Sequence, residues 1–254
     1  MISVICVYND EQALNNHLLK SINEQDTNCE LILINNSAKE YRSAAVALNI
    51  GGQKANGDYL IFAHQDLELD SSHWLRDAEC TIAGLLDFGI AGVAGKKKAS
   101  GVLTNIKHGS PPRFAGKHRI KEPEEVQTLD ECLIIIPREL FSRLSFDEYN
   151  CDDWHLYAVD YCLNVRKMGY RVFVLPLPCY HKSSGSLSEG YFSTLEKLRQ
   201  KHSLGYEVVY TTMGNWYMRV PVSIQKTRLW RKCSLLINEA ISTTKNLKQR
   251  HFDR

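Results

Sequence analysis

The chain has 254 residues, 44% of them hydrophobic and 24% charged, with a formal net charge of +2. That make-up suits a soluble globular protein with room for one large α/β domain, and no apolar run approaches the ~18 residues that a bilayer span requires. The small net charge conceals an asymmetry: from Lys226 onward eight basic residues face two acidic ones, a net of +6 that leaves −4 for residues 1–225, which argues against nucleic acid as a partner of the main body and marks the tail as a separate unit.

The segment Met1-Ile-Ser-Val-Ile-Cys-Val7 lacks the basic leader and small-residue cleavage site of a signal peptide. Its β-branched run reads as a first strand over Ile2 to Tyr8, and a cytoplasmic location is expected. Asn9-Asp10 can cap a helix over residues 11–23, whose Leu14, Leu18, Leu19 and Ile22 share one face. Glu30-Leu-Ile-Leu-Ile-Asn35 follows as a strand parallel to the first, completing a right-handed βαβ unit. An Ala-rich helical stretch from Ser43 to Asn49 leads through Gly51-Gly52 to another helical turn and then to a third strand, Asp58-Tyr-Leu-Ile-Phe-Ala63. Sheets wound in this way bind ligands at the carboxyl ends of their strands. Tyr8-Asn9-Asp10, Asn35-Asn36-Ser37 and His64-Gln65-Asp66 all fall there, so a shared pocket is expected.

Farther along, a helix is expected over about residues 71–86 and a strand over Gly89–Ala94. Residues 96–130 are rich in Gly, Pro and basic side chains and read as loops and short hairpins forming a lid. Cys132-Leu-Ile-Ile-Ile136 is a buried strand, Pro137 can open a short helix, and a longer helix over about residues 153–168 ends at Gly169 before a strand at Tyr170–Leu175. The eight cysteines form no C-x-x-C pair and are expected as free thiols. The chain thus divides into a domain over residues 1–205 and a basic helical appendage over 206–254. In the appendage Leu229, Trp230, Cys233, Leu236, Ile237, Ala240 and Ile241 recur at helical spacing between basic residues. Such a helix can lie as a peripheral contact on an anionic membrane, pack on the body, or join two copies in a homo-oligomer.

Seven stretches carry a resemblance. Ile2-Ser-Val-Ile-Cys-Val-Tyr-Asn-Asp10, Asn35-Asn36-Ser37, Gly57-Asp-Tyr-Leu-Ile-Phe-Ala-His-Gln-Asp66, Gln127-Thr-Leu-Asp-Glu131, Phe146-Asp-Glu148, Trp154-His-Leu-Tyr-Ala-Val-Asp-Tyr-Cys162 and Lys167-Met-Gly-Tyr-Arg171 stand in order, followed by His181. They resemble family 2 glycosyltransferases of the GT-A fold. The resemblance implies a doubly wound mixed α/β sheet flanked by helices, and transfer with inversion of a sugar from a nucleotide diphosphate (UDP, dTDP or GDP) to a hydroxyl of a glycan or lipid-linked acceptor. It also implies Mn²⁺ or Mg²⁺ as cofactor, and bacterial polysaccharide or glycoconjugate synthesis as the setting. Two alternatives stay open at this stage: a catalytically silent sugar-nucleotide-binding or scaffold protein, and a sugar nucleotidyltransferase.

Carried over residue by residue, the resemblance places His64-Gln65-Asp66 where the family has Asp-x-Asp. Asp66 inherits the metal with His181 as partner, while His64 is a ligand or a phosphate or ribose contact. Tyr8, Asn9, Asn35, Asn49, Lys54, His64 and Gln65 are assigned to the nucleotide, and Asp130 and Trp154 to the donor sugar or acceptor. Lys54 can equally be a solvated surface lysine, and Asp130 a turn cap. For the base, Tyr157-Ala158-Val159-Asp160 matches a motif with a further aspartate at position 158, which is alanine here. Asp160 is the first candidate and Asp153 the next.

Overall fold

The computed structural model describes residues 1–116, 119–183 and 187–227. Strands β1 (Ile2–Tyr8), β2 (Glu30–Asn35) and β3 (Tyr59–Ala63) are parallel, with β1 between the other two. Between β1 and β2 a helix spans residues 11–23, with a π-type stretch at Asn15–Leu19, and Asp10 caps it by accepting from the Ala13 amide. The helix Ala44–Lys54 is unbroken through Gly51-Gly52. A Cβ at Gly51 would strike the Ile5 side chain and one at Gly52 the Phe141 ring. These two glycines let the helix lie close on the sheet and on Phe141.

After β4 (Leu67–Leu69) and the helix Trp74–Ala83 comes β5 (Phe88–Gly92). The stretch expected as loops and short hairpins holds β6 (Ala94–Lys96), β7 (Val102–Thr104), β8 (Ile106–His108), β9 (Arg113–Phe114), β10 (Glu124–Glu125) and β11 (Thr128–Leu129), with β6–β7 and β8–β9 paired antiparallel. β12 (Leu133–Pro137) then runs antiparallel between β3 and β5. β13 (Arg171–Val174) and β14 (Cys179–His181) follow the helix Tyr157–Lys167. The main sheet has the order β10-β13-β5-β12-β3-β1-β2, a mixed doubly wound sheet, and β4, β14, β8 and β9 form a smaller one over its carboxyl edge.

Side chains of one strand alternate between two faces, so a strand covered on both sides is apolar throughout. On β3, Leu60 and Phe62 join the core beneath helices 44–54 and 157–167, whereas Ile61 and Ala63 join the core beneath helices 11–23 and 74–83. Seven of the cysteines lie among the described residues, and all seven are free.

Two expectations need correction. The helix expected from about residue 153 starts at Tyr157, because Leu156 takes a left-handed backbone (φ 67°) and residues 153–156 form an irregular turn. The segment after 205, expected as a helical appendage, instead opens with an antiparallel hairpin, β15 (Val208–Thr211) and β16 (Gly214–Tyr217), and a short helix at Val222–Gln225. Gln127 Nε2 donates to the Val208 carbonyl, Gln127 Oε1 accepts from the Tyr210 amide and Thr128 Oγ1 donates to the Tyr210 carbonyl. The hairpin is therefore built into the domain. The amphipathic stretch beyond 227 lies outside the described residues.

Candidate functional site

Asp66 stands just past the carboxyl end of β3, and β14 pairs antiparallel with β4 in a register that sets His181 opposite Leu67. That pairing brings together residues more than a hundred positions apart. His181 Nε2 lies 3.3 Å from Asp66 Oδ1 and 3.3 Å from His64 Nδ1. One ligand atom from each of the three residues falls within 4.8 Å of the others. The Ser183 amide donates to Asp66 Oδ2 at 3.1 Å, and His108 Nδ1 donates to the His181 carbonyl at 2.8 Å, holding the strand in place.

These residues fit a divalent ion. Around an octahedral ion with ligands at ~2.1 Å, neighbouring ligand atoms are ~3 Å apart, close to both separations found here. Burial, aided by the charge of His181, lowers the His64 pKa to about 4 against the pull of Asp66 and Asp130, so its imidazole is neutral with a lone pair to give. Burial works to raise the Asp66 pKa, but hydrogen bonds and charge from His181, with Ser183 and His64, hold it well below the usual carboxylate range. Two imidazole nitrogens and one carboxylate oxygen favour Mn²⁺ over Mg²⁺, which prefers oxygen.

On one side of this triad opens a cleft of about 870 Å³, lined by Val7, Tyr8, Asn9, Asn36, Ser37, Lys39, Tyr41, Arg42, Gln65, Asp66 and Trp154 among others. Tyr8 and Asn9, expected in a pocket at the carboxyl ends of the strands, line this cleft. Gln65 is also there, but its amide is used internally: Oε1 accepts from the Asn9 and Asp10 amides, and Nε2 donates to Asn9 Oδ1. It fixes the turn after β1. Asn36, not Asn35, lines the cleft. Asn36 Oδ1 accepts from the Tyr41 amide at 2.9 Å and shapes the loop that presents Lys39 and Arg42, while Asn35 caps the Ser37 amide. Lys39 and Arg42 were not legible as site residues because an aperiodic loop offers no pattern.

Asn49 and Lys54 are not in the cleft. Asn49 is buried and bonds the Phe146 backbone and Glu148. Lys54 ends its helix beside the amino edge of the sheet, exposed, a whole helix length from the cleft.

On the other side of the triad lies a chamber of about 510 Å³, sharing His64, Trp154 and Ser183 with the cleft and lined by Asp130, Glu131, His155, Tyr191 and Thr212 among others. Burial opposes ionisation of Asp130, yet hydrogen bonds from the Thr212 hydroxyl and the Cys132 amide, with the two imidazoles nearby, keep its pKa low. Beside it, burial and the Asp130 charge push the Glu131 carboxyl well up, and its Oε1 finds no hydrogen-bond partner among the described residues. His155 also lines the chamber. Burial lowers its pKa, opposed by Asp153.

Asp160 is removed from the site. It is 1% exposed, lines neither cavity, and bonds His202 at 2.7 Å, Lys201 at 2.8 Å and Asn164 at 2.9 Å. A carboxylate so held cannot reach an acceptor, and its role is to staple helix 189–202 onto helix 157–167. Asp160→Ala strands a buried histidine and a lysine and should cost about 3–5 kcal/mol of stability, the usual effect of halving a buried ion pair. Chemical denaturation reads that loss, and specific activity per folded molecule should stay within twofold of wild type. Asp153 lines neither cavity; it packs against Gly190 beside His155.

The sequence profile of the glycosyltransferase-like family matches residues 3–202, and the chain belongs to that family. Its fold is shared with GalNAc-T7 bound to UDP, GalNAc and Mn²⁺ (TM-score 0.56, 14% identity, 78% of this chain and 47% of that one). It is shared too with S. aureus TarS bound to UDP-GlcNAc (0.55, 16%, 79% and 66%) and the mannosyltransferase PcManGT from Pyrobaculum calidifontis bound to GDP-Man and Mn²⁺ (0.51, 16%, 78% and 61%). A sequence relative, the ATP synthase subunits region ORF 6 of Fuscovulum blasticum, is 24% identical over 156 residues, 59% of this chain and 61% of the relative. The chain therefore spans about half to two thirds of these proteins. Among the described residues no helix is long and apolar enough to cross a membrane.

Proposed function

We propose that the chain is an inverting, metal-dependent glycosyltransferase that moves a sugar from a nucleotide diphosphate to an acceptor hydroxyl. The carrying observation is the His64–Asp66–His181 cluster at the junction of a base-and-phosphate cleft and a second, acid-lined chamber. The family membership and the UDP-, GDP- and Mn²⁺-bound proteins of the same fold support this reading. A bacterial surface glycan is the setting the reading implies.

Asp66, His181 and His64 would hold the ion, which when bound neutralises charge on the departing diphosphate. Tyr8 and Asn9 face the base. Arg42 and Lys39 supply further positive charge along the cleft. In the chamber Asp130 and Trp154 orient the donor sugar or acceptor, with Asp130 held as a carboxylate by Thr212 and the Cys132 amide. The base falls to His155: its lowered pKa keeps the imidazole neutral near pH 7 and free to accept the acceptor proton, and the Asp153 charge stabilises the imidazolium that forms. Direct displacement needs one base and inverts the anomeric centre.

Arg42→Ala should raise KM for the donor about tenfold, ~1.4 kcal/mol, with kcat within twofold, because a phosphate contact far from the reacting bond binds substrate and transition state alike. Initial rates over a UDP-sugar concentration series check this. A silent binding protein would bind nucleotide and show no turnover in the same assay.

A further inference from the structure

The strands that wall the chamber belong to a positively charged stretch of the chain. Residues 88–121 contain eight lysines and arginines and no aspartate or glutamate, in a body whose first 225 residues carry −4 overall. This stretch forms β5 to β9, and Ala94, Val102, Thr104, Ile106 and His108 from it wall the chamber.

Lys96 is the informative residue. β6 pairs with β7 so that Ala94 faces Thr104 and Lys96 faces Val102. Alternation puts Lys96 on the same strand face as Ala94, two residues or ~7 Å farther along, and Ala94, Thr104 and Val102 all line the chamber. The Ala94 carbonyl accepts from the Asp130 amide and the Lys96 carbonyl from that of Gln127. Lys96 thus stands just past the end of this wall, beyond the residues that line the chamber and remote from Asp130 and the metal cluster. Its side chain is half-buried, and it has no carboxylate partner among the described residues, although its neighbours do: Lys97 pairs with Glu124 and Lys107 with Asp70. Burial works to lower its pKa. A half-buried ammonium without a counter-charge costs free energy that a bound anion would return.

We infer that the chamber takes an acceptor bearing an anionic group, which pairs with Lys96 while the reacting hydroxyl lies at the Asp130–His155 end. This deepens the transferase reading and rests on it. The polarity would orient the acceptor: a carboxylate or phosphate is repelled by Asp130 and drawn to Lys96. Phe114, half exposed and next to Ala115 of the chamber wall, lies under the Arg119 guanidinium at 3.8 Å.

The test is calorimetric titration of the full chain, with and without saturating UDP and Mn²⁺, using methyl β-glucuronide and glucose 1-phosphate as anionic probes and methyl β-glucoside as the neutral one. The two anionic arms separate carboxylate from phosphate. At least one anionic probe should bind tenfold or more tightly than the neutral one. Lys96→Met, which keeps the apolar stem, should erase that preference and leave UDP affinity unchanged. Wild type without preference, or a preference surviving in Lys96→Met, overturns the inference. Failure of UDP to bind wild type would overturn the transferase reading instead, and the anion preference is still read from the arm without nucleotide.

Discussion

Asp66→Ala is expected to lower donor turnover about 10³-fold and to remove its dependence on Mn²⁺, with the chain still folded. The magnitude is that of deleting an electrostatic stabiliser aimed at developing charge. Asp66 is the sole carboxylate of the cluster, and its Oδ2 contact with the Ser183 amide is a small part of the local hydrogen bonding. His64→Ala, which leaves Asp66 and His181 in place, should lose only about tenfold and shift the preference from Mn²⁺ toward Mg²⁺, since the site would have one nitrogen fewer. Steady-state rates across a metal series, with circular dichroism as the control for folding, check both. Equal losses in the two variants, or full Mn²⁺ dependence in Asp66→Ala, would contradict the assignment.

The second large effect is at His155. Replacement by alanine should lower kcat by about 10²–10³-fold with KM for the donor little changed, the range for removing a general base. A pH profile separates a base from a packing residue. The base works as neutral imidazole, and burial sets its pKa below the ordinary 6.5, so the rate should be flat above about pH 6.5 and fall as pH drops through the His155 pKa. His155→Ala should lack that acid limb. Asp153→Asn, which removes a charge that raises the pKa, should move the limb to lower pH. An unchanged limb in His155→Ala would assign it to another group. For stability the sign is fixed by the same shift: below 6.5 the unfolded chain takes up the proton first, so this residue contributes a loss of stability as pH falls through that window.

Long, strongly patterned elements were legible in the sequence. The alternation that sends Leu60 and Phe62 one way and Ile61 and Ala63 the other follows from apolar strands covered on both faces, and the carboxyl-edge pocket from the strand order. Asp66 and His181 stand at positions of a family pattern, and the β4–β14 register supplies the physical reason they meet. Where the site depends on backbone irregularity, pattern gave no access. A leucine in a left-handed conformation at 156 is unfavourable by itself and leaves no local signal, yet it turns His155 into the chamber and delays the helix.

Distant partners were equally hidden. Asp160 keeps a motif position, but its fate is decided by His202 and Lys201, more than forty residues away on a different helix. Asn49 is claimed by Phe146 and Glu148 in the same way. The hairpin at 208–217 has a partial signal, Val208-Val209-Tyr210-Thr211 before a turn and Trp216-Tyr217 after Gly214-Asn215, beside the stronger one of the basic tail that follows. Its Thr212 hydroxyl is what holds Asp130 in the chamber.

The central claim is that two histidines and one aspartate hold an ion at the junction of cleft and chamber. Pulsed electron paramagnetic resonance of Mn²⁺ added to the full chain with UDP tests it directly, because nitrogen ligands modulate the Mn²⁺ echo. Modulation from two imidazole nitrogens in wild type, from one in His64→Ala and one in His181→Ala, together with phosphorus coupling from UDP, is the predicted result. Mn²⁺ bound with no nitrogen coupling, or coupling unchanged in both variants, would contradict the account.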